Sequence, residues 1–274
     1  MINLFNIVKN YGPLCFGLDP NIERMPDKDL FEYNDIFYVY DEFCRNLLRL
    51  LKDVVKIVKF QSAYFEAVPH GLTTLKHLIS DANKFGYYTI LDAKRSDIST
   101  TAKAYAQAAF DLYDADALTI LPFMGERSIR TFVDYARKKG RQIFVVVHPT
   151  EASIYCNNAA ATLELIQQIG DENINNGYGD VGAVVSGIMP NYIDFYRKIA
   201  PRVFFLVPGM GSQGGKVEDQ LSGWTGNGTI LSYSSSIIYA TEPLVVVNTI
   251  LDEINKCSVG VTNAFQSSKL KEEV

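Results

Sequence analysis

The sequence predicts a single (β/α)8 (TIM) barrel in the α/β fold class, and three observations support that prediction. The chain has 274 residues, which is close to the roughly 250 residues of one such barrel. Short apolar runs rich in β-branched and aromatic residues alternate with longer helical patterns. No change in composition marks a linker near the middle of the chain. A doubly wound open sheet is the competing interpretation, but the number of strand and helix units favours the barrel.

Eight segments are predicted as strands. Several of them are apolar without alternation, which is typical of strands that are buried on both faces of a parallel sheet. The predicted strands are residues 14–18, 55–61, 87–92, 117–121, 142–147, 182–186, 203–207 and 228–233.

Seven amphipathic stretches between these strands are predicted as helices, with a shorter helix starting near Gly215. Residues 19–38, which contain Pro, Asp and aromatic residues, are predicted as a long loop. We predict that the barrel domain spans residues 1–257 and that the polar residues 258–274 form a disordered tail. The predicted helices are residues 39–53, 72–85, 98–113, 128–139, 159–169, 192–199 and 243–256.

Charge and cysteine usage exclude several classes of function. A formal net charge of −5 argues against nucleic acid as a partner but allows an anionic small molecule. The four cysteines lack metal-ligand spacing and are typical of reduced thiols, so we predict no metal site and a cytoplasmic location. Residues 1–10 lack the pattern of a signal peptide, and no apolar run is long enough to cross a membrane. The cysteines are Cys15, Cys44, Cys156 and Cys257.

A cluster of charges follows the third predicted strand. Side chains alternate between the two faces of a strand, so Asp92 and Lys94 are expected on the same side, at its carboxyl end. Active sites of barrels lie at that end. Asp97 falls in the loop that follows, and Lys59 lies near the end of the second strand. The alternative is that Asp97 only caps a helix, Asp92 and Lys94 form a buried ion pair, and Lys59 is a surface residue.

A glycine-rich segment, VPGMGSQGG at residues 207–215, follows the seventh strand. Glycines let backbone N–H groups approach an anion closely, and the loops after strands 7 and 8 of a barrel often bind phosphate. The segment is equally compatible with a tight turn. A dinucleotide-binding fingerprint is excluded, since that motif follows the first strand and precedes an acidic residue.

Together these pieces resemble the orotidine 5'-monophosphate decarboxylase family, in particular its longer bacterial-type subgroup. The resemblance covers residues 14–240. It rests on FGLDP at 16–20, KFQSAYFE at 59–66, DAKRSDI at 92–98, ADALT at 115–119, PGMGSQGG at 208–215 and IIYA at 237–240.

The resemblance implies a cofactor-free lyase of pyrimidine biosynthesis that makes UMP, acting as a homodimer with sites shared between subunits. Lys94 would protonate C6 of the pyrimidine as carbon dioxide leaves, and Asp92 would lie beside the substrate carboxylate. Lys59 and Asp97 would complete the charge network, with Asp97 supplied by the other subunit. A fixed ammonium beside the developing carbanion both stabilises its charge and provides the proton.

The resemblance also implies a set of substrate-binding residues. Asp19 and Lys59 would contact the ribose, and Thr101 would reach the ligand of the other subunit. Gln213 and the adjoining glycine loop would bind the phosphate. The implied substrate-binding residues are Asp19, Thr101, Thr150, Pro208, Gln213, Gly214, Gly215 and Ser235.

The sequence departs from the family pattern at both ends of the expected substrate. Ser235 occupies the position of a phosphate-binding arginine, a change that weakens phosphate binding about ten- to a hundredfold unless another residue, such as Lys216, compensates. HPTE at 148–151 replaces the pyrimidine-contacting Arg-Thr-Ser-Asn, of which Thr150 keeps a hydroxyl, and SGI at 186–188 replaces Gly-Ala-Thr. Three hypotheses follow: an orotidylate decarboxylase, a decarboxylase of a modified or non-phosphorylated pyrimidine nucleoside or nucleotide, and a non-catalytic nucleotide-binding paralogue.

Overall fold

The computed structural model describes residues 4–25, 36–149, 158–188, 190–211, 214–217 and 228–269. Eight parallel strands close into a barrel, with a short hairpin, β6–β7, outside it. The strands are β1 (Leu14–Leu18), β2 (Ile57–Gln61), β3 (Tyr88–Arg95), β4 (Ala117–Ile120), β5 (Gln142–His148), β6 (Ile174–Asn175), β7 (Tyr178–Gly179), β8 (Val181–Val185), β9 (Phe205–Val207) and β10 (Thr229–Tyr233).

Closure of the sheet confirms the predicted barrel and rules out the open-sheet alternative. The strands are arranged in the order β1-β10-β9-β8-β5-β4-β3-β2, and β1 pairs with both β2 and β10. Cys15 pairs with Ile57 on one side of β1, and Leu14 pairs with Leu231 on the other. No barrel strand is therefore left with an unpaired edge.

Most helices pack around the outside of the barrel, and most of the predicted ones begin and end near their predicted boundaries. A 3-10 turn covers Ile22–Arg24, and a π-helical turn at Ala108–Leu112 follows α5. The helices are α1 (Leu4–Tyr11), α2 (Ile36–Leu51), α3 (Ser62–Glu66), α4 (Gly71–Lys84), α5 (Ser99–Gln107), α6 (Glu126–Lys139), α7 (Ala159–Gly170), α8 (Pro190–Ile199), α9 (Ser235–Ile238) and α10 (Pro243–Lys269).

Local sequence chemistry explains where α6 begins and ends. Glu126 lies in the first turn and basic residues lie in the last turn, which complements the helix dipole at both ends. Gly140 follows the helix with φ of +65°, a left-handed conformation that glycine adopts without steric cost. The helix therefore ends at Lys139, where the sequence also places its end.

The main differences from the sequence-based expectations concern α1, α10 and β3. Helices α3 and α9 and the β6–β7 hairpin were also not predicted, and residues 19–38, predicted as a loop, contain the 3-10 turn and the start of α2. Helix α1 was not predicted, because eight residues hold too few turns for a clear periodicity. Helix α10 extends to Lys269 rather than ending at residue 256, so the backbone of the expected tail is helical that far. Strand β3 runs on to Arg95, three residues past its predicted end. The division of the chain at residue 257 stays a prediction.

Two apolar cores hold the barrel together. One lies between the strands and the surrounding helices, and includes Phe16 and Phe60. The other fills the barrel interior near the amino ends of the strands, where Phe144 packs so closely against Gly182 that a Cβ there would lie 2.4 Å from the ring. Helix α1 closes this end of the barrel with Leu4, Ile7 and Val8, which belong to the same core. The opposite, carboxyl-terminal end is left open for a site.

Among the described residues, no helix combines the length and the apolar character needed to span a bilayer.

Candidate active site

The inward-facing side chains change from apolar to charged along the barrel axis. On β2, Ile57 belongs to the interior core, and Lys59 lies two residues further on. On β3, Tyr88 and Ile90 belong to the same core, and Asp92 follows them. Because side chains alternate between the two faces of a strand, Lys59 and Asp92 form the next inward layer, at the carboxyl end of the barrel.

Asp92 lies at the centre of this charged layer. Its Oδ2 accepts hydrogen bonds from Lys59 Nζ at 3.0 Å and from Gln61 Nε2 at 3.3 Å. Its Oδ1 accepts hydrogen bonds from Lys94 Nζ at 2.7 Å and from Thr119 Oγ1 at 2.8 Å. The structure therefore brings together three of the four charged residues that the sequence singled out.

Lys94 reaches this cluster through a break in the strand. The pairing of β3 with β4 is irregular between Leu91 and Arg95, and Lys94 has φ of +46°. A non-glycine residue in this left-handed region costs about 1–3 kcal/mol and persists only where the surroundings enforce it. Lys94 does lie beside Asp92, as expected, but the bulge rather than simple alternation places it there. The Lys94 side chain is 42% exposed.

Thr119 on β4 hydrogen-bonds to both Lys94 and Asp92 at this bulge. Its Oγ1 accepts the backbone N–H of Lys94 at 3.0 Å and donates to Asp92 Oδ1 at 2.8 Å. The side chain is fully buried. It therefore fixes the backbone that carries one lysine and the carboxylate that this lysine contacts.

We expect Thr119→Val to lower the free energy of unfolding by about 1–3 kcal/mol, because a buried N–H and a buried carboxylate each lose a partner. It should also lower the turnover rate by releasing Lys94 from its fixed position. Urea unfolding and steady-state kinetics measure the two effects. Thr119→Ser keeps the hydroxyl and is the matched control. Equal behaviour of the Val and Ser variants would show that this hydrogen bond does not position Lys94.

The cluster keeps its charges at neutral pH. Burial alone would raise the pKa of Asp92, but Lys59 and Lys94 outweigh it and hold that pKa well below its usual range. Burial alone would lower the pKa of Lys59, but Asp19 and Asp92 outweigh it and hold that pKa above its usual range. Asp19 Oδ1 lies 3.7 Å from Lys59 Nζ. The Lys59 ammonium and the Asp92 carboxylate therefore both remain charged while in contact with each other.

These residues line an open cavity of about 420 Å³ at the carboxyl end of the barrel. Its volume suits a small molecule of nucleotide size. The lining residues come from seven of the eight barrel strands or the loops after them. They are Asp19, Asn21, Arg24, Lys59, Gln61, Tyr64, Asp92, Lys94, Val146, Pro149, Val184, Leu206, Pro208, Gly209, Met210, Ser232, Ser234, Ser235 and Tyr239.

Comparison with known proteins assigns the chain to a family. The sequence model of the "Orotidine 5'-phosphate decarboxylase / HUMPS family" matches residues 12–247, a span that contains the whole barrel and every residue lining the cavity. The chain belongs to the orotidine 5'-phosphate decarboxylase/HUMPS family.

Individual members of the family cover nearly the whole chain. A protein from Rhodopirellula baltica named orotidine 5'-phosphate decarboxylase is 32% identical over an alignment of 260 residues, and the match covers 85% of this chain and 86% of that protein. One of the same name from Deinococcus radiodurans is 34% identical, covering 83% of this chain and 84% of its own length. The structure of Leishmania donovani OMP decarboxylase matches with a TM-score of 0.76 at 27% identity, covering 93% of this chain and 96% of that one.

The substrate-binding residues expected of a family member lie partly in the cavity. Asp19, Pro208 and Ser235 line it. Thr150 and Gln213 lie outside the described residues. Thr101 is half-buried on α5 and is not among the residues that line the cavity.

Asp97 lies apart from the cluster within one chain. Its Oδ1 accepts the N–H of Ile98 at 2.7 Å, and its backbone oxygen accepts the hydroxyl of Ser128 at 2.6 Å. It is absent from the residues lining the cavity. A second subunit would have to supply Asp97 to the site, as the family resemblance implies.

The glycine loop is built differently from the expected anion cradle. Gly209, Gly211 and Gly214 all have φ between +72° and +96°, so the turn requires glycine. The N–H of Gly214 donates to Gly211 O at 2.9 Å, and that of Gly215 donates to Gly209 O at 3.1 Å. Neither Gly214 nor Gly215 lines the cavity. These two N–H groups stabilise the turn.

The carboxyl end of β5 contributes Pro149 rather than His148 to the cavity. His148 is buried, with Nδ1 3.0 Å from the hydroxyl of Tyr196 and the ring edge-to-face with Tyr192. Burial lowers the pKa of His148, so the ring is neutral at pH 7.

Sequence reasoning missed several site residues. Gln61 and Thr119 could have been found from alternation, since each lies two residues after an inward-facing residue on its strand. Arg24 and Tyr239 gave no local signal, because they meet across most of the chain length. Lys216, proposed as a compensating cation, is exposed and is not among the cavity-lining residues.

Proposed function

We propose that the protein decarboxylates orotidine 5'-monophosphate to UMP. The observation that carries this proposal is the Lys94 ammonium, directed into the cavity by its 2.7 Å contact with Asp92. Relatives about a third identical over most of the chain are named for this reaction. The protein is accordingly a carboxy-lyase.

The chemistry follows from the charges of the site. The bond between C6 and the carboxyl carbon breaks, its electron pair stays on C6, and carbon dioxide leaves. Lys94 stabilises the developing negative charge on C6 and then donates a proton to it, and solvent returns that proton to the amine. Asp92 orients the ammonium, and its own charge disfavours the bound substrate carboxylate. No redox step or electron sink takes part.

One buried polar atom without a hydrogen bond among the described residues supports a place for the ribose. Asp19 Oδ1 is buried and has no hydrogen-bond partner within the described residues. Buried polar atoms are rarely left unsatisfied, and Asp19 lines the cavity beside Lys59. We assign the ribose hydroxyls to these two residues.

The surface around Asp97 supports a homodimer with shared sites. Ile98, Phe123 and Met124 are 62%, 52% and 51% exposed, which is high for large apolar side chains. Ile98 and Met124 line one shallow groove, and Ser128 at its edge is bonded to Asp97. Apolar side chains exposed together mark an association surface. We infer that this face packs against a second copy, whose cavity receives Asp97 and Thr101.

Subunit complementation tests this shared site. Chains carrying Lys94→Ala and Asp97→Ala are expected to be inactive as homodimers, because each site then lacks one essential charge. A heterodimer of the two, purified through two different tags, contains one doubly altered and one intact site. It should regain about half of the wild-type activity. A heterodimer as inactive as its parents would contradict a shared site.

We make three further proposals, on the subgroup, the cellular compartment and the bounds of the catalytic domain. We place the protein in the longer bacterial-type subgroup, with Ser235 standing where relatives carry a phosphate-binding arginine. Cys15 and Cys44 are buried free thiols, which supports a reducing, cytoplasmic compartment. We also propose that residues 1–257 form the catalytic domain.

Turnover of orotidine 5'-monophosphate by the purified protein tests the function. Loss of the ultraviolet absorbance of the substrate follows the reaction, and a rate within about a hundredfold of family members supports the proposal, since this is the loss expected for one charge-assisted bond. Turnover of only a non-phosphorylated or modified nucleoside would overturn the assigned substrate. Binding of nucleotide without turnover of any of these compounds would overturn the assignment as an enzyme.

A further inference from the structure

The cavity carries a net positive charge from one residue. Five charged side chains line it among the described residues, and four of them neutralise each other. Lys59 and Lys94 contact Asp92, and Lys59 also lies 3.7 Å from Asp19. The fifth is Arg24. In the described part of the chain, its guanidinium has no carboxylate partner and makes no hydrogen bond.

Arg24 is held in place at the mouth of the cavity. Its Cζ lies 4.0 Å from the centre of the Tyr239 ring, which is cation–π geometry. Tyr239 is itself fixed, because its Oη accepts the N–H of Asn21 at 2.6 Å and donates to the backbone oxygen of Asp19 at 3.1 Å. Asn21 also caps the turn that carries Arg24, accepting the N–H of Glu23 at 2.9 Å. Stacking leaves the N–H groups at the edge of the guanidinium plane available to an anion.

A hydroxyl lines the same cavity on a neighbouring strand end. Ser234 follows β10, which pairs with β1, the strand before Arg24. Its Oγ is buried and has no hydrogen-bond partner among the described residues. Gly17 at the end of β1 leaves room for it, since a Cβ there would lie 3.1 Å from Ser234 Cβ. A buried hydroxyl without a hydrogen-bond partner in the wall of a cavity is available to bind a ligand.

We propose that Arg24 binds the 5'-phosphate of the substrate, with Ser234 donating a second hydrogen bond, and thereby selects nucleotide over nucleoside. This inference rests on the proposed function, which supplies the phosphorylated ligand. Guanidinium groups bind phosphate oxygens in pairs. The other cations of the cavity are engaged with Asp92, and the N–H groups of Gly214 and Gly215 are used within their own loop.

Calorimetric titration with UMP and with uridine tests the proposal on wild-type protein and on Arg24→Gln. The variant should bind UMP about tenfold more weakly, the lower end of the range for a charge-assisted hydrogen bond, because Arg24 is exposed. Its affinity for uridine should not change. The kcat/KM for orotidine 5'-monophosphate should fall by at least the same factor. Lys216→Gln, which removes an exposed cation that does not line the cavity, should leave both affinities unchanged.

The ratio of the two affinities separates phosphate binding from a structural role. If Arg24 only supported Tyr239, the variant would lose affinity for UMP and uridine equally. Such an equal loss would overturn the proposal. So would an unchanged affinity for UMP, or a wild-type protein that does not prefer UMP to uridine. Arg24-dependent binding of UMP by a protein that does not turn over orotidine 5'-monophosphate would uphold it and overturn the proposed function instead.

Discussion

Replacing Lys94 with alanine is expected to lower the turnover of orotidine 5'-monophosphate by at least about 10⁴-fold. Proton transfer by a positioned side chain contributes about 10²–10⁴ to a rate, and a preorganised charge at the reacting atom contributes about 10²–10³ more. Lys94 supplies both, since it is the ammonium that Asp92 directs into the cavity at 2.7 Å. Single-turnover kinetics with excess enzyme measures this loss without interference from product release.

The stability of the protein should hardly change in this variant. The Lys94 side chain is 42% exposed, and Asp92 keeps its bond to Lys59. The variant should therefore unfold at nearly the wild-type urea concentration, and it should still bind UMP. Lys76→Ala, on the exposed face of α4, is the matched control and should be fully active. Activity of Lys94→Ala within tenfold of wild type would mean that another group protonates C6.

Replacing Asp92 with alanine is expected to cost about 3–5 kcal/mol of the free energy of unfolding at pH 7, and activity with it. Lys59 is only 5% exposed, and among the described residues it would keep only the more distant Asp19 as a carboxylate partner. Removing one member of a buried ion pair leaves the other charge uncompensated, which is the costly case. Urea unfolding measures this loss.

The dependence of this loss on pH identifies its cause. In the wild-type protein the pKa of Asp92 is lowered, so its stabilisation is present above the unfolded-state pKa and is lost only as the pH falls through the lower folded-state pKa. The pKa of Lys59 is raised, so its stabilisation is present below the unfolded-state pKa and is lost as the pH rises through the folded-state pKa. Between about pH 5 and pH 9 the pair therefore contributes a constant stabilisation.

The Asp92→Ala variant should behave differently as the pH rises. Asp92 is one of the two carboxylates that hold the pKa of Lys59 up, so its removal lets desolvation bring the folded-state pKa of Lys59 down from its raised value. Lys59 of the folded variant then loses its proton at a lower pH than in the wild-type protein, so the difference in stability between the two should narrow at alkaline pH. Adding Lys59→Met should restore most of the stability without restoring activity. A loss below about 1 kcal/mol that does not vary with pH would contradict a buried pair.

Local pattern was sufficient for the barrel and for most of the charge cluster. The apolar segments predicted at 14–18 and 142–147 match β1 and β5 almost residue for residue. A short, continuously apolar segment is typical of a strand that is buried on both faces of a parallel sheet. Lys59 and Asp92 follow directly from strand alternation. The position of Lys94 was predicted for the wrong reason, since the bulge depends on Thr119 from the neighbouring strand.

Features that depend on distant contacts could not be predicted from local pattern. Asn21 and Tyr239 are 218 positions apart in the chain, so neither sequence neighbourhood indicates their hydrogen bond or the stacking of Arg24 on the ring. The role proposed for Asp97 depends on a second chain, which no local pattern describes. In the glycine loop the N–H groups of Gly214 and Gly215 bond within the turn, and their expected contact with the phosphate stays a prediction.

A crystal structure with UMP bound tests the central claim most directly, since the product carries the reacting carbon and the phosphate together. We predict that C6 lies about 3–3.5 Å from Lys94 Nζ, a distance that permits proton transfer, with the partner's Asp97 entering the same cavity. A pyrimidine bound elsewhere, or a Lys94 ammonium directed away from C6, would contradict the account.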